Sequence, residues 1–242
     1  MASTSTPFLG TAVKWIEVPP GWQRGEGLVP YAGETAHMLD WVENMNGRSA
    51  HLFAYQGQLI VDVVEIEPNA VHQLGKAGDE IVVVVNGALN LTTDATKVEQ
   101  TFKAGEMVMF RAGWSGIYRV ISEEGPFREM AIVPHDYFDA SRPPPVSNET
   151  PGRIEAPLAA GKHELYRNTY VVEAENIDRA RNWSIAASSD EVVQVLAGSL
   201  TLRARDDSAS FGPGSIVILP KGFVGHARAT AGYRAITARW NR

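Results

Sequence analysis

The chain says the same thing twice, about 111 residues apart, and this constrains its fold more than any other feature. Asp79-Glu80-Ile-Val-Val-Val-Val-Asn-Gly87 returns as Asp190-Glu191-Val-Val-Gln-Val-Leu-Ala-Gly198. Gly105-Glu-Met-Val-Met-Phe-Arg-Ala-Gly113-Trp-Ser-Gly116 returns as Gly214-Ser-Ile-Val-Ile-Leu-Pro-Lys-Gly222-Phe-Val-Gly225. Spacings match within each motif, and only the hairpin between the motifs is two residues shorter in the second copy. A repeat this long means two copies of one domain, since solenoid periods are shorter.

The 242 residues have room for two domains of roughly 100 residues each. Short segments rich in Val, Ile, Tyr and Phe, bounded by Gly, Asn, Asp or Pro, predict strands at 15–18, 51–55, 59–67, 80–86, 88–92, 106–110, 117–121 and 127–133. Residues 34–44 read as a short helix or an irregular excursion. Turn signals every 8–12 residues or so point to an all-β sandwich or barrel. Ser141 to Gly152 holds three successive prolines, which cannot continue a central strand and mark a linker. The expected division is an N-terminal arm with lead-in strands at 1–50, a first barrel at 51–140, a linker at 141–160 and a second barrel at 161–242.

Composition excludes several classes of chemistry. With no cysteine there is no disulfide, thiolate metal site or cysteine nucleophile. A net charge of −6 with scattered Lys and Arg offers no phosphate-tracking surface, so nucleic acid is not an expected partner. The N-terminal Met-Ala-Ser-Thr-Ser-Thr-Pro lacks the charged and apolar regions of a signal peptide. The longest apolar run, Ile81 to Val85, is far short of a membrane-spanning helix. A soluble cytoplasmic protein without a membrane partner is expected.

Glu80, six residues and Gly87, followed by Gly105, five residues, Arg111 and Gly113, resemble the two sequence motifs of the cupin superfamily. The second copy, with Glu191, Gly198, Gly214, Pro220 and Gly222, matches better. The Asp-Glu start and the Gly-Phe-x-Gly ending further resemble the ureidoglycine aminohydrolase-like bicupins. The resemblance implies two tandem jelly-roll β-barrels. It also implies metal sites built from two histidines and a glutamate of the first motif and a histidine of the second. In copy one only His72 and Glu80 remain, and Gly116 holds the last slot. In copy two Trp183 stands at the place of His72, Glu191 is kept and Gly225 holds the last slot. His226 is adjacent, but strand side chains alternate faces, so it points outward if position 225 points in. A catalytic zinc site normally needs three protein ligands. The metal candidates are thus His72, Glu80, Glu191 and His226, and a divalent transition metal is not the favoured cofactor.

Glu80, His72 and Tyr118 form the candidate catalytic set, because Tyr118 shares the inward parity of Gly116 and an inward carboxylate needs a partner. Lys76, in a Gly-Lys-Ala-Gly turn, reads as a solvated lysine; Arg111 reads as a rim residue and Trp183 as packing. Ile81, Val83 and Val85 make the outer face of their strand as apolar as the inner one, which predicts cover by the other barrel or across a homodimer. The leading expectation is a bicupin that binds a small polar metabolite inside a barrel with its metal site degenerate or lost. The rivals are a metal-dependent enzyme similar to ureidoglycine aminohydrolase and a structural or regulatory dimer.

Overall fold

The computed structural model describes residues 14–16, 29–30, 42–46, 49–123, 125, 127–138, 147–204 and 207–241, with the side chains described from residue 55 onward except at 138. These residues form antiparallel strands and one short 3-10 turn, His135–Phe138. They make two compact units, one of Trp22–Ile154 and the other of Met1–Gly21 with Glu155–Arg242.

In the first unit a seven-stranded sheet runs in the order Gly152–Ile154, Met107–Phe110, Glu80–Asn86, Phe127–Pro134, Leu59–Ile66, Ser49–Gln56, Val29–Pro30. A five-stranded sheet runs Val42–Asn46, Val71–Gly75, Ser115–Ile121, Ala88–Thr93, Glu99–Lys103. Val64, Ile66, Val82, Val84 and Val108 of the larger sheet and Leu74, Leu89, Leu91, Phe102 and Tyr118 of the smaller share one buried core. Two sheets with their apolar faces packed together make a jelly-roll barrel.

The other unit repeats this with six strands and four. The larger sheet holds Lys14–Ile16, Ile216–Leu219, Glu191–Ala197, Tyr233–Trp240, Tyr170–Ile177 and Gly161–Arg167. The smaller holds Arg181–Ala186, Val224–Ala229, Leu200–Ala204 and Asp207–Phe211, and its core contains Val193, Val195, Leu202, Ala227 and Ala235. The chain is therefore all-β, two tandem jelly-roll barrels.

The units do not follow the copies as contiguous stretches. Lys14–Ile16 pairs with Ile216–Ile218 of the second copy, and Gly152–Ile154, the end of the proline-rich stretch, pairs with Met107–Met109 of the first. Each copy thus gains an edge strand at the same place. Residues 42–46, part of the stretch read as a helix or excursion, are a strand beside Val71–Gly75; the rest of 34–44 and residues 17–18 lie outside the described residues. Backbone pairing sets this strand in register, with Val42 opposite the barrel-core residue Leu74.

The repeat has a local cause. Gly87, Gly105 and Gly113, and their equivalents Gly198, Gly214 and Gly222, all have φ between 67° and 88°, which only glycine adopts without strain. The repeated aspartates also share one task. Asp79 Oδ1 accepts the Ala112 N–H at 3.0 Å, and Asp190 Oδ1 accepts the Lys221 N–H at 2.7 Å. Each aspartate ties the start of its Glu-bearing strand to the turn before Gly113 or Gly222. Ile81 and Val83, on the outer strand face, are 0% and 2% exposed in the single chain, and Val85 is half-buried.

Candidate site inside the first barrel

The site is built from strand alternation. Val82 and Val84 lie in the barrel core, so Glu80, of the same parity, faces inward; His72 and Lys76 face inward with Leu74. Tyr118 is the direct cross-strand neighbour of His72, so these rings share one inner surface. Glu129 pairs with the core residues Val64 and Val84 and faces inward too. The structure therefore places His72, Glu80 and Tyr118 on the inner faces of one barrel, at 4%, 4% and 1% exposure.

Lys76 is not the solvated turn residue that its neighbours in sequence suggest. It is buried, and its Nζ lies 2.9 Å from Glu80 Oε2. The reason is backbone pairing: Lys76 N–H donates to Trp114 O at 2.8 Å, and Gly113 N–H donates to Lys76 O at 2.7 Å. The strand's inward parity is thereby carried one step past Gly75. The same oxygen of Glu80 accepts the Tyr137 hydroxyl at 3.0 Å. Tyr137 comes from the 3-10 turn, and Gly78 makes room for it, since a Cβ there would stand 2.7 Å from the tyrosine ring.

Tyr118 donates its hydroxyl to Glu129, and burial, reinforced by the negative charges of Glu129 and Glu80, pushes its pKa well above the usual 10.0. It is thus held as a neutral donor and is no base at neutral pH. Burial pulls His72 below its ordinary 6.5, so the ring is held neutral. Neither His72 nitrogen has a hydrogen-bond partner among the described residues. Buried polar groups are normally satisfied, so this ring is an exception that calls for a partner.

The residues present do not fit a divalent metal. At Gly116, a Cβ would stand 2.2 Å from Thr92 O and 2.7 Å from Trp114 Cζ2, so no imidazole enters the barrel there. Trp114 fills that space, fully buried, with its Nε1–H donated to Thr93 Oγ1 at 3.0 Å and its ring edge-on to Phe110. Glu80 already holds an ammonium, whose charge repels a second cation. In the second barrel a Cβ on Gly225 would stand 2.6 Å from Arg203 O and 2.9 Å from Phe223 Cζ. His226 is exposed on the outer face, its Nδ1 3.4 Å from Ser184 Oγ. No cluster of three or more His, Asp or Glu able to hold a metal occurs among the described residues.

The second barrel's inner face is otherwise arranged. Trp183 packs against the core beneath the Arg181 guanidinium, 5.7 Å from its ring centroid. Glu191 is half-buried opposite Arg239, and burial raises its pKa despite the nearby Arg239 and Lys162. Glu173 takes Lys162 at 2.7 Å and Arg239 at 3.1 Å. Arg111 is a rim residue, one-third exposed, paired with Glu149 at 3.1 Å and near Asp79 at 3.8 Å.

Sequence reasoning missed Lys76, Glu129 and Tyr137. Glu129 had a readable signal, its two-residue offset from the core residue Phe127. Tyr137 had none.

No protein-family model matches the chain, and no curated protein matches it in sequence. Among solved structures it is similar to a protein of unknown function from Pseudomonas syringae pv. tomato, at 13% identity and TM-score 0.59, covering 94% of this chain and 99% of that one. It is similar to a cupin 2 conserved barrel domain protein from Leptotrichia buccalis at 12% identity and TM-score 0.56, covering 82% and 91%. AerE from Microcystis aeruginosa matches at 13% identity and TM-score 0.54, covering 84% and 97%. At such identities the likeness is one of fold, and the fold is the cupin barrel.

Proposed function

We propose that this chain is a bicupin of the ureidoglycine aminohydrolase-like group that has lost its metal chemistry, works in the cytoplasm and binds a small polar metabolite in its first barrel. The supporting observation is His72: inward-facing, 4% exposed and neutral, with both ring nitrogens lacking a partner among the described residues. A ligand that hydrogen-bonds the imidazole would satisfy it, and Lys76, Tyr118 and Tyr137 supply polar groups on the same inner surface. The group assignment is supported by the Asp-Glu and Gly-Phe-x-Gly motifs, and the cupin fold by solved structures that match most of the chain. A metal-dependent enzyme is disfavoured because the donors do not fit the ion.

A second reading has its own support. Phe110, Trp114 and Tyr118 fill the first barrel at 0–1% exposure, as expected of a structural or regulatory protein with no internal ligand. A thermal-shift screen of small polar metabolites, with calorimetry on each hit, separates the two. The ligand-binding reading expects a hit whose affinity falls at least tenfold in His72→Phe with the fold intact. Binding indifferent to that substitution but abolished by Glu191→Gln would move the site to the second barrel; a screen without hits favours the structural reading.

A further inference from the structure

We infer that Lys76 is the resident cation of the first barrel, an ammonium built into the chain that balances Glu80 where a divalent ion would otherwise stand. This rests on the reading that the first barrel has lost its metal, and it adds the residue that makes the loss sustainable.

An inward carboxylate in a closed barrel is costly unless it is neutralised or paired. Lys76 and Glu80 side chains are 7% and 5% exposed, with Nζ 2.9 Å from Oε2. The Tyr137 hydroxyl on the same oxygen supplies the additional hydrogen bond that a buried pair needs. The ammonium also lies 5.1 Å from the centroid of Phe110 and 5.8 Å from that of Tyr118, where the ring faces attract a desolvated cation. Its backbone is fixed on both sides by Trp114 and Gly113, so the lysine is delivered to this point by the strand. In the second copy the same two backbone bonds are made by Ala187, to Phe223 and Gly222. There an alanine stands in place of the lysine, and Glu191 is half-buried near Arg239 and Lys162.

The test is a double-mutant cycle on the full chain with a metal arm. Lys76→Met, Glu80→Gln and the pair of substitutions together are compared with the wild type by thermal melting after chelation, and the wild type is melted again with excess Co²⁺. Each single substitution is expected to lower the melting temperature by roughly 10 °C, since removing one partner of a buried pair strands the other. The double variant should melt closer to the wild type than either single variant, and Co²⁺ should leave the wild-type melt unchanged. If Lys76→Met does not fold, a folded double variant near the wild-type melting point carries the same conclusion. Additive losses in the double variant, or its failure to fold, would overturn the role of Lys76. A wild-type melt raised by Co²⁺ would overturn it too. Ligand binding to the first barrel can fail its own test without touching these outcomes.

Discussion

The sharpest prediction concerns Gly116, the slot where a histidine would complete a metal site. Its missing Cβ would stand 2.2 Å from Thr92 O, and ordinary contact begins about 3.4 Å away, so something must move by roughly 1 Å. That oxygen is backbone and cannot rotate aside. Gly116 is paired with Leu74 on one side and Thr93 on the other, so the shift must be absorbed across three strands. Overpacking of this kind costs about 1–3 kcal/mol, and each weakened ladder hydrogen bond about 1 kcal/mol more. Gly116→Ala should therefore lose about 3 kcal/mol, near 6–12 °C in melting temperature for a chain of this length. Gly225→Ala, with Arg203 O at 2.6 Å, should lose less, and Gly212→Ala, with nothing within 4 Å, almost nothing. Gly116→His should fold poorly and gain no Co²⁺ absorption, because Trp114 fills the space the imidazole would need. Differential scanning calorimetry reads the order of losses and resolves whether the barrels melt separately. A Gly116→Ala variant that melts with the wild type, or a folded Gly116→His variant with bound cobalt, would refute the steric account.

Three further outcomes follow from the charges. Asp79→Ala and Asp190→Ala should each cost about 1–3 kcal/mol by stranding a turn N–H, with Asn at either position costing less, as read by chemical denaturation. His72 has a folded pKa below 6.5, so the unfolded chain takes its proton first; the wild type should lose stability as pH falls through 6.5, and the melting-temperature gap to His72→Phe should change over that window and stay flat above it. Glu191 runs the other way. Its raised pKa penalises the charged folded state, so Glu191→Gln should raise the melting temperature at pH 7, with the gain fading as pH falls toward 4.5 and absent if the carboxylate is in fact solvated.

The fold was legible because its punctuation is chemical. Six glycines at matched spacings require left-handed backbone, and the aspartate before each inward glutamate accepts a turn N–H; both leave marks in the sequence. Period-two alternation also carried the outward direction of His226 from the inward position of Gly225. Strands that bury little were harder to see: in Glu99–Lys103 only Phe102 is buried, and Val71–Gly75 alternates too briefly. Lys76 was misread because glycines on both sides look like a turn, whereas pairing with Trp114 extends the strand through it. Glu129 was legible only through its two-residue offset from Phe127, because the strand Phe127–Pro134 is buried on both faces around it. The contact of Tyr137 with Glu80 spans 57 residues and is set by tertiary structure alone.

The two copies solve one problem in two ways. Each carries an inward glutamate at the same point of the same strand. In the first, Glu80 is closed off and balanced by Lys76, and nearby Glu129 is satisfied by Tyr118. In the second these partners are absent together. Ala187 stands for Lys76, Ala227, opposite Trp183, stands for Tyr118, and Ala235, opposite Val195, stands for Glu129. Loss of one member alone would leave a buried charge or hydroxyl unsatisfied, so the set is replaced as a unit or kept as a unit. What remains, Glu191, is half-buried opposite Arg239 across the sheet, with Glu173 holding both Arg239 and Lys162. A barrel with an internal ammonium and one whose glutamate lies half-buried among Arg239, Lys162 and Glu173 cannot exchange roles by single substitutions. A lysine at Ala187 of the second barrel would give Glu191 a partner but not the two rings that Lys76 has beneath its ammonium, because Leu219 and Ala227 stand for Phe110 and Tyr118.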